Sequence, residues 1–359
     1  MNAQSAQQKL SAAGLAKFQE LRTEALNIVC DRFYWADEAS SKRFGPRGRE
    51  ACREDLAFHL EFLRPALEFG VIQPMVDYLV WLSSVLSARG IPLEHLALSL
   101  DWFGEFYADR MRAEDGAVVT NTLKLIGDGF KTAPPERAST APAPTEPWPE
   151  LAAFETALLS GRQHEASAIV NRCLDEGRSL VDLEMYLISP TLYNIGEKWQ
   201  ANKVTVAQEH MATAIVQSVM TGGLLRSPPP PMIGKRVLLA CVEGNSHAIG
   251  LRMVSDGFQL AGWDVQFLGA NMPTVALVGQ AVEWRPDLVG LSVSFPQQLR
   301  VVKEVISRLD IVLGDARPPV IIGGLAVNRF AQLAGAIGAD GYSPNAAAAV
   351  AYATRSWAA

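Results

Sequence analysis

The feature that most narrows the fold is an alternation that begins near Ile233. Four short aliphatic runs, RVLLACV (236–242), DVQFLG (264–269), LVGLSVS (288–294) and PVIIGG (319–324), are separated by stretches with helical apolar spacing. Runs that are apolar throughout suit strands covered on both faces, as in parallel sheets crossed by helices. Residues 233–359 are therefore expected to form a doubly wound parallel sheet of flavodoxin-like order, a Rossmann-like domain whose ligands sit outside the carboxyl ends of the strands. The first run stops at Glu243-Gly244, and helical spacing resumes through Leu251, Val254 and Phe258. The loop between them carries His247, one of five histidines in the chain. A neutral imidazole at such a turn can ligate a metal if a neighbour such as Asn245 fixes its other nitrogen.

Upstream, apolar residues recur at three and four positions from Phe18 to Phe33, Leu56 to Leu67, Val76 to Leu86 and Leu93 to Tyr107, so residues 1–132 read as a helical domain. APPERASTAPAPTEPWP, residues 133–149, reads as a semi-rigid proline-rich linker. Residues 150–222 have the pattern of a small four-helix bundle, and the prolines that follow make 223–232 a hinge. A chain of 359 residues suits two or three such domains. The net charge of -6 argues against nucleic acid and anionic membranes as partners. No run reaches the length of a membrane span and the start lacks the apolar core of a signal peptide, so a cytoplasmic protein is expected. Cys30, Cys52, Cys173 and Cys241 have no C-x-x-C spacing, which argues against a zinc site and a disulfide framework.

The loop sequence N-S-H-A-I-G (245–250) resembles the D-x-H-x-x-G signature of cobalamin-binding domains, in which the histidine replaces the nucleotide base as lower cobalt ligand. The resemblance implies a site at Asn245, Ser246, His247 and Gly250, with His247 on the metal. It also implies a path for the nucleotide tail past Ser292, Ser294, Gly323 and Gly324, small residues at two later strand ends. Asn245 stands where the family usually has a carboxylate, which leaves an orienting hydrogen bond and removes a proton relay. Within the bundle, Trp199, Val206, Glu209 and His210 resemble the cap of the adenosylcobalamin light-sensing repressors, where tryptophan and glutamate lie over the corrin and enclose the adenosyl group. Those repressors carry a histidine directly after the tryptophan. This chain has Gln200, which leaves the vacated upper position to His210 or to water.

The segment 47–92 resembles the chromophore-bearing stretch of phycobiliproteins, helical proteins of globin-like fold. The resemblance implies that Cys52, Arg53 and Asp55 hold a linear tetrapyrrole, with Phe58, His59 and Tyr78 lining its pocket. A carboxylate can accept from several pyrrole N–H groups while a guanidinium binds propionate. Taken together, the three parts resemble the photocobilins. This implies a light sensor with adenosylcobalamin and biliverdin, no catalytic residue, and homo-oligomers whose association depends on light and signals to an unidentified partner. The alternative is a corrinoid methyl-carrier subunit of a methyltransferase system, which needs no adenosyl pocket. A mutase would need a substrate barrel that this chain lacks.

Overall fold

The computed structural model describes residues 8–36, 38–91, 93–134, 148–228 and 230–356. Two compact units divide the chain, Met1–Ser139 and Thr140–Ala359. Of the proline-rich linker expected at 133–149, residues 135–147 lie outside the described residues.

The first unit is helical among its described residues: α1 (Ala12–Glu20), α2 (Arg22–Ala36), α3 (Glu38–Phe69), α4 (Gln73–Ala88), α5 (Glu94–Arg110) and α6 (Ala113–Thr132). Ser11 opens α1 by accepting from the Gly14 N–H at 3.0 Å, and Pro74 stands in the first turn of α4, where a missing N–H is harmless. Phe18 of α1 stacks on Tyr107 of α5 with ring centroids 4.6 Å apart, in a core that also holds Phe103, Leu60 and Leu63. Helix α6 has no counterpart among the apolar spacings above, because its buried face runs through Gly116, Val119, Thr122, Leu123 and Ile126. A glycine and a threonine interrupt the stripe.

The second unit joins a bundle to a sheet. The bundle comprises α7 (Leu151–Leu159), α8 (Gln163–Asp175), a long third rod and α11 (Val206–Arg226), which Thr205 and Gln208 open with a capping box. The third rod is α9 (Leu180–Leu183), a π turn over Glu184–Ile188 and α10 (Ser189–Gln200). Pro190 explains the wide turn: its ring crowds the carbonyl four residues back, and the Ser189 N–H bonds instead to the Glu184 carbonyl.

The expected hinge at 223–232 begins later than proposed, because α11 continues through Gly222-Gly223 to Arg226. A Cβ on Gly223 would lie 2.7 Å from Leu180 Cδ1, so this glycine serves a close helix crossing and not flexibility. Proline stops the helix only from residue 228 onward.

Beyond the prolines follow β1 (Arg236–Cys241), α12 (Ile249–Leu260), β2 (Asp264–Phe267), α13 (Thr274–Trp284), β3 (Leu288–Ser292), α14 (Leu299–Leu313), β4 (Val320–Gly323), α15 (Leu325–Arg329), α16 (Gln332–Ala336), β5 (Gly341–Tyr342) and α17 (Ala346–Ser356). All pairings are parallel in the order β2-β1-β3-β4-β5, the flavodoxin-like order expected. β1 and β3 lie at the centre and are buried on both faces. The bundle core, with Phe154, Leu158, Leu187 and Met220, extends to Met253 of α12 and Ala346 of α17, so bundle and sheet domain share one apolar seam. No described helix is long and apolar enough to cross a membrane.

Candidate functional site

The loop after β1 is held in shape by its own polar groups. Gly244 takes φ +83°, and its N–H donates to Asn271 Oδ1 at 2.7 Å. Asn245, fully buried, donates from Nδ2 to the Ser292 carbonyl at 2.9 Å and accepts at Oδ1 from the His247 backbone N–H at 3.1 Å. Asn245 was expected to fix the His247 ring. It fixes the backbone instead, because an Asx side chain reaches most easily to the N–H two residues on.

The His247 imidazole is exposed at the carboxyl end of β1 and meets the edge of Phe295, centroids 5.3 Å apart at 79°. Although the ring reaches water, crowding around it holds its pKa below the ordinary 6.5, and the Glu209 carboxylate opposes this. The ring is therefore neutral near pH 7 and offers a lone pair. Ser246 and Gly250 flank it, both exposed.

Gln298, buried at the start of α14, ties this loop to the one after β3. Its Nε2 donates to the Gly244 carbonyl at 2.8 Å, and its Oε1 accepts from the Ser294 and Phe295 N–H groups at 2.9 and 3.1 Å. Neither Gln298 nor Phe295 was found from sequence. The only signal was a run of three polar-compatible residues, Pro296-Gln297-Gln298, directly after a strand end.

The later strand ends are built for a close approach. Ser292 is buried and Ser294 half-buried. A Cβ on Gly323 would lie 2.9 Å from the Ser343 carbonyl oxygen, and one on Gly324, at φ +99°, only 2.4 Å from that of Val293. Ser343, also missed from sequence, is buried at the end of β5 with a hydroxyl that has no hydrogen-bond partner. Small residues beside an unsatisfied hydroxyl, next to a neutral imidazole, fit a bulky polar ligand that carries a metal.

The four cap residues stand at one end of the bundle. Trp199 is half-buried against the bundle core at the end of α10, and Val206, the first residue of α11, is 54% exposed. Glu209 accepts from Thr213 Oγ1 at 3.0 Å and lies 2.6 Å from Nδ1 of the exposed His210. The effect of Glu209 on His247 brings this end of α11 to the side of the sheet where the β1 loop lies. Arg329 of α15 likewise acts on Tyr193 of α10.

In the first unit, Cys52, Arg53, Asp55 and His59 all lie on α3. Arg53 and Asp55 are exposed, yet neighbouring bulk pushes the Asp55 carboxyl up to about 6, with Glu54 adding to it. Burial, then the neighbouring Cys30, pushes the Cys52 thiol up to about 12, so it is a poor nucleophile. His59 is buried, with Nδ1 donating to the Asp55 carbonyl at 2.8 Å while Tyr78 Oη lies 3.3 Å from the same nitrogen. Burial lowers its pKa to about 4, so the ring is neutral and Nε2, which has no partner, is a bare acceptor. Elsewhere, Glu150, Cys173 and Glu176 come within reach of one another, but Arg178 occupies Glu150 with two hydrogen bonds of 2.9 and 3.2 Å.

The pattern of a B12 binding domain matches residues 235–351, and a second B12 binding domain pattern matches 150–221. The HTH-type transcriptional repressor CarA of Myxococcus xanthus is 30% identical over 236 residues, 64% of this chain and 74% of its own length. The repressor CarH of the same organism is 27% identical over 218 residues, 59% of this chain and 71% of its own. Dimethylamine corrinoid protein 3 of Methanosarcina acetivorans is 28% identical over 209 residues, 54% of this chain and 95% of its own.

Proposed function

This chain belongs to the family of B12-binding proteins that includes the repressor CarA, and from that premise we propose that it is a light sensor that binds adenosylcobalamin. The observation that carries this reading is the pairing of His247 with Glu209: a neutral imidazole on the sheet feels a carboxylate from the cap. His247 would ligate the cobalt, and Ser292, Ser294, Gly323, Gly324 and the Ser343 hydroxyl would line the way in for the nucleotide tail. Bound adenosylcobalamin supplies a cobalt–carbon bond that visible light cleaves. Trp199 and Val206 exclude water above the site, and Glu209 accepts from ribose hydroxyls. Without those contacts the cap would be free to move, and altered association between copies would carry the signal to a partner. Absorption spectra of the loaded protein before and after illumination test the reading; a spectrum unchanged by light removes it.

A corrinoid methyl-carrier role is the second reading, favoured by the likeness that spans 95% of dimethylamine corrinoid protein 3. Glu209 separates the two. A charge-assisted hydrogen bond contributes about 1.5–3 kcal/mol, so Glu209→Ala is expected to lose roughly tenfold or more in preference for adenosyl- over methylcobalamin. Binding titrations with both forms measure it, and equal affinities in the wild type favour the methyl carrier.

We extend the proposal to biliverdin in the first unit, held without a thioether bond. The bare Nε2 of His59 supports this, because a pyrrole or lactam N–H would satisfy it, with Asp55 accepting nearby and Arg53 or Arg49 neutralising propionates. Full-length protein mixed with biliverdin is expected to gain a red band that survives denaturation only as free pigment. Asp55→Ala should weaken that band, and a protein that leaves biliverdin's spectrum unchanged counts against the pocket.

A further inference from the structure

Two carboxylic acids meet where the bundle rests on the sheet domain. Glu184 opens the π turn of the third rod and Asp256 lies in the second half of α12; both side chains are wholly buried. Both Glu184 oxygens and Asp256 Oδ2 are without a hydrogen-bond partner, and each group acts on the other's protonation. Only Asp256 Oδ1 is engaged, by Arg252 Nε at 2.7 Å. The wide turn places Glu184 here, since the register forced by Pro190 turns this residue toward α12 and away from water.

Two buried carboxylates with one guanidinium beside them hold one negative charge too many. We infer that Glu184 and Asp256 share a single proton in the packed protein, and that this proton leaves for water when the bundle lifts from α12. The proton takes the place of the missing donor: it is bonded to one carboxyl and donated to the other, and Arg252 balances the remaining charge. Burial raises the pKa of both groups, and the second carboxyl raises that of Glu184 further. Charged side chains on the helices packed around the pair are engaged elsewhere or exposed. Asp182 caps with Ser179, Arg172 meets Glu176, Lys198 meets Glu155, Arg226 meets Asp175, and Arg355 is exposed on α17. Arg236 and Asp264, which open the strands beneath α12, are exposed as well.

The sign follows from linkage. A group protonated when packed and ionised when exposed favours the packed form at lower pH, and separation becomes easier as pH rises. Coupling to light rests on the photosensor reading; the shared proton does not. Three measurements on full-length protein decide between these parts. Infrared spectra at about pH 8, where free carboxyls are ionised, should show a protonated-carboxyl C=O band that Glu184→Gln removes. No such band in the wild type, or one that persists in the variant, overturns the shared proton. Between about pH 7 and 9, each unit should lower the folded-to-unfolded ratio of the wild type about tenfold more than that of Glu184→Gln, and parallel profiles would likewise overturn it. Finally, illumination of the adenosylcobalamin-loaded protein in weak buffer should release about one proton more from the wild type than from Glu184→Gln. Equal release, with the first two results intact, means that light does not part these two groups. A spectrum blind to light discards the photosensor reading and leaves the infrared and pH results to stand on their own.

Discussion

His247→Ala is expected to abolish the spectrum of histidine-bound, base-off cobalamin and to weaken retention of the cofactor by roughly a hundredfold or more, since loss even of an outer partner of a ligand typically costs 10–100-fold. The ring is exposed and packs only on the edge of Phe295 among the contacts described above, so the variant should fold as the wild type does. Spectral titration measures the loss, and circular dichroism separates it from unfolding. An unchanged spectrum would place the metal elsewhere. The same residue sets a pH dependence. Because its pKa lies below 6.5, the lone pair stays free at that pH, and ligation should be lost only on further acidification, as pH falls through the lowered value.

Gly324→Ala should destabilise the protein even without cofactor, by about 3 kcal/mol or more. Its φ of +99° with ψ of 171° falls in a region that residues with a Cβ scarcely visit, and the added methyl would press on the Val293 carbonyl at 2.4 Å. Gly323→Ala is the informative neighbour. Its φ is not positive, and its Cβ would meet only the Ser343 carbonyl at 2.9 Å, so it should cost less stability while still narrowing the passage proposed for the nucleotide tail. Denaturation midpoints of the two apo variants should differ clearly, with Gly324→Ala the lower. Similar midpoints would show that the strand end relaxes more readily than the backbone suggests.

The sheet was legible because four short, largely aliphatic runs, three of them ending in glycine or serine and the first stopping before Glu243-Gly244, alternate with helical spacing. β5 was not, since two residues, Gly341-Tyr342, leave no periodicity to detect. His247 could be found by the spacing of one short motif. Asn245 could be found too, but its role was misread, because the sequence does not reveal which of two nearby donors an amide will reach. Gln298 escaped because its partners are backbone atoms brought close only by folding, and Ser343 because a buried hydroxyl without a partner exists only in the folded chain. Gly223, expected at the start of a hinge, instead lets Leu180 pack close against α11. Nothing in the sequence singles out Glu184 and Asp256, and only folding buries the two side chains together.

The bridge made by Gln298 has a consequence for how the cofactor is acquired. All three of its partners are main-chain atoms, on the loops after β1 and β3, and Asn245 adds a fourth main-chain tie across the same gap. These ties form with the sheet itself, so the ordering of the two loops is completed during folding and is not charged against the later encounter with a ligand. The lower half of the site is thus a rigid receptor that needs no conformational search. Loading should then be a single bimolecular step for the sheet, with any slow phase belonging to the helices that settle over it afterwards.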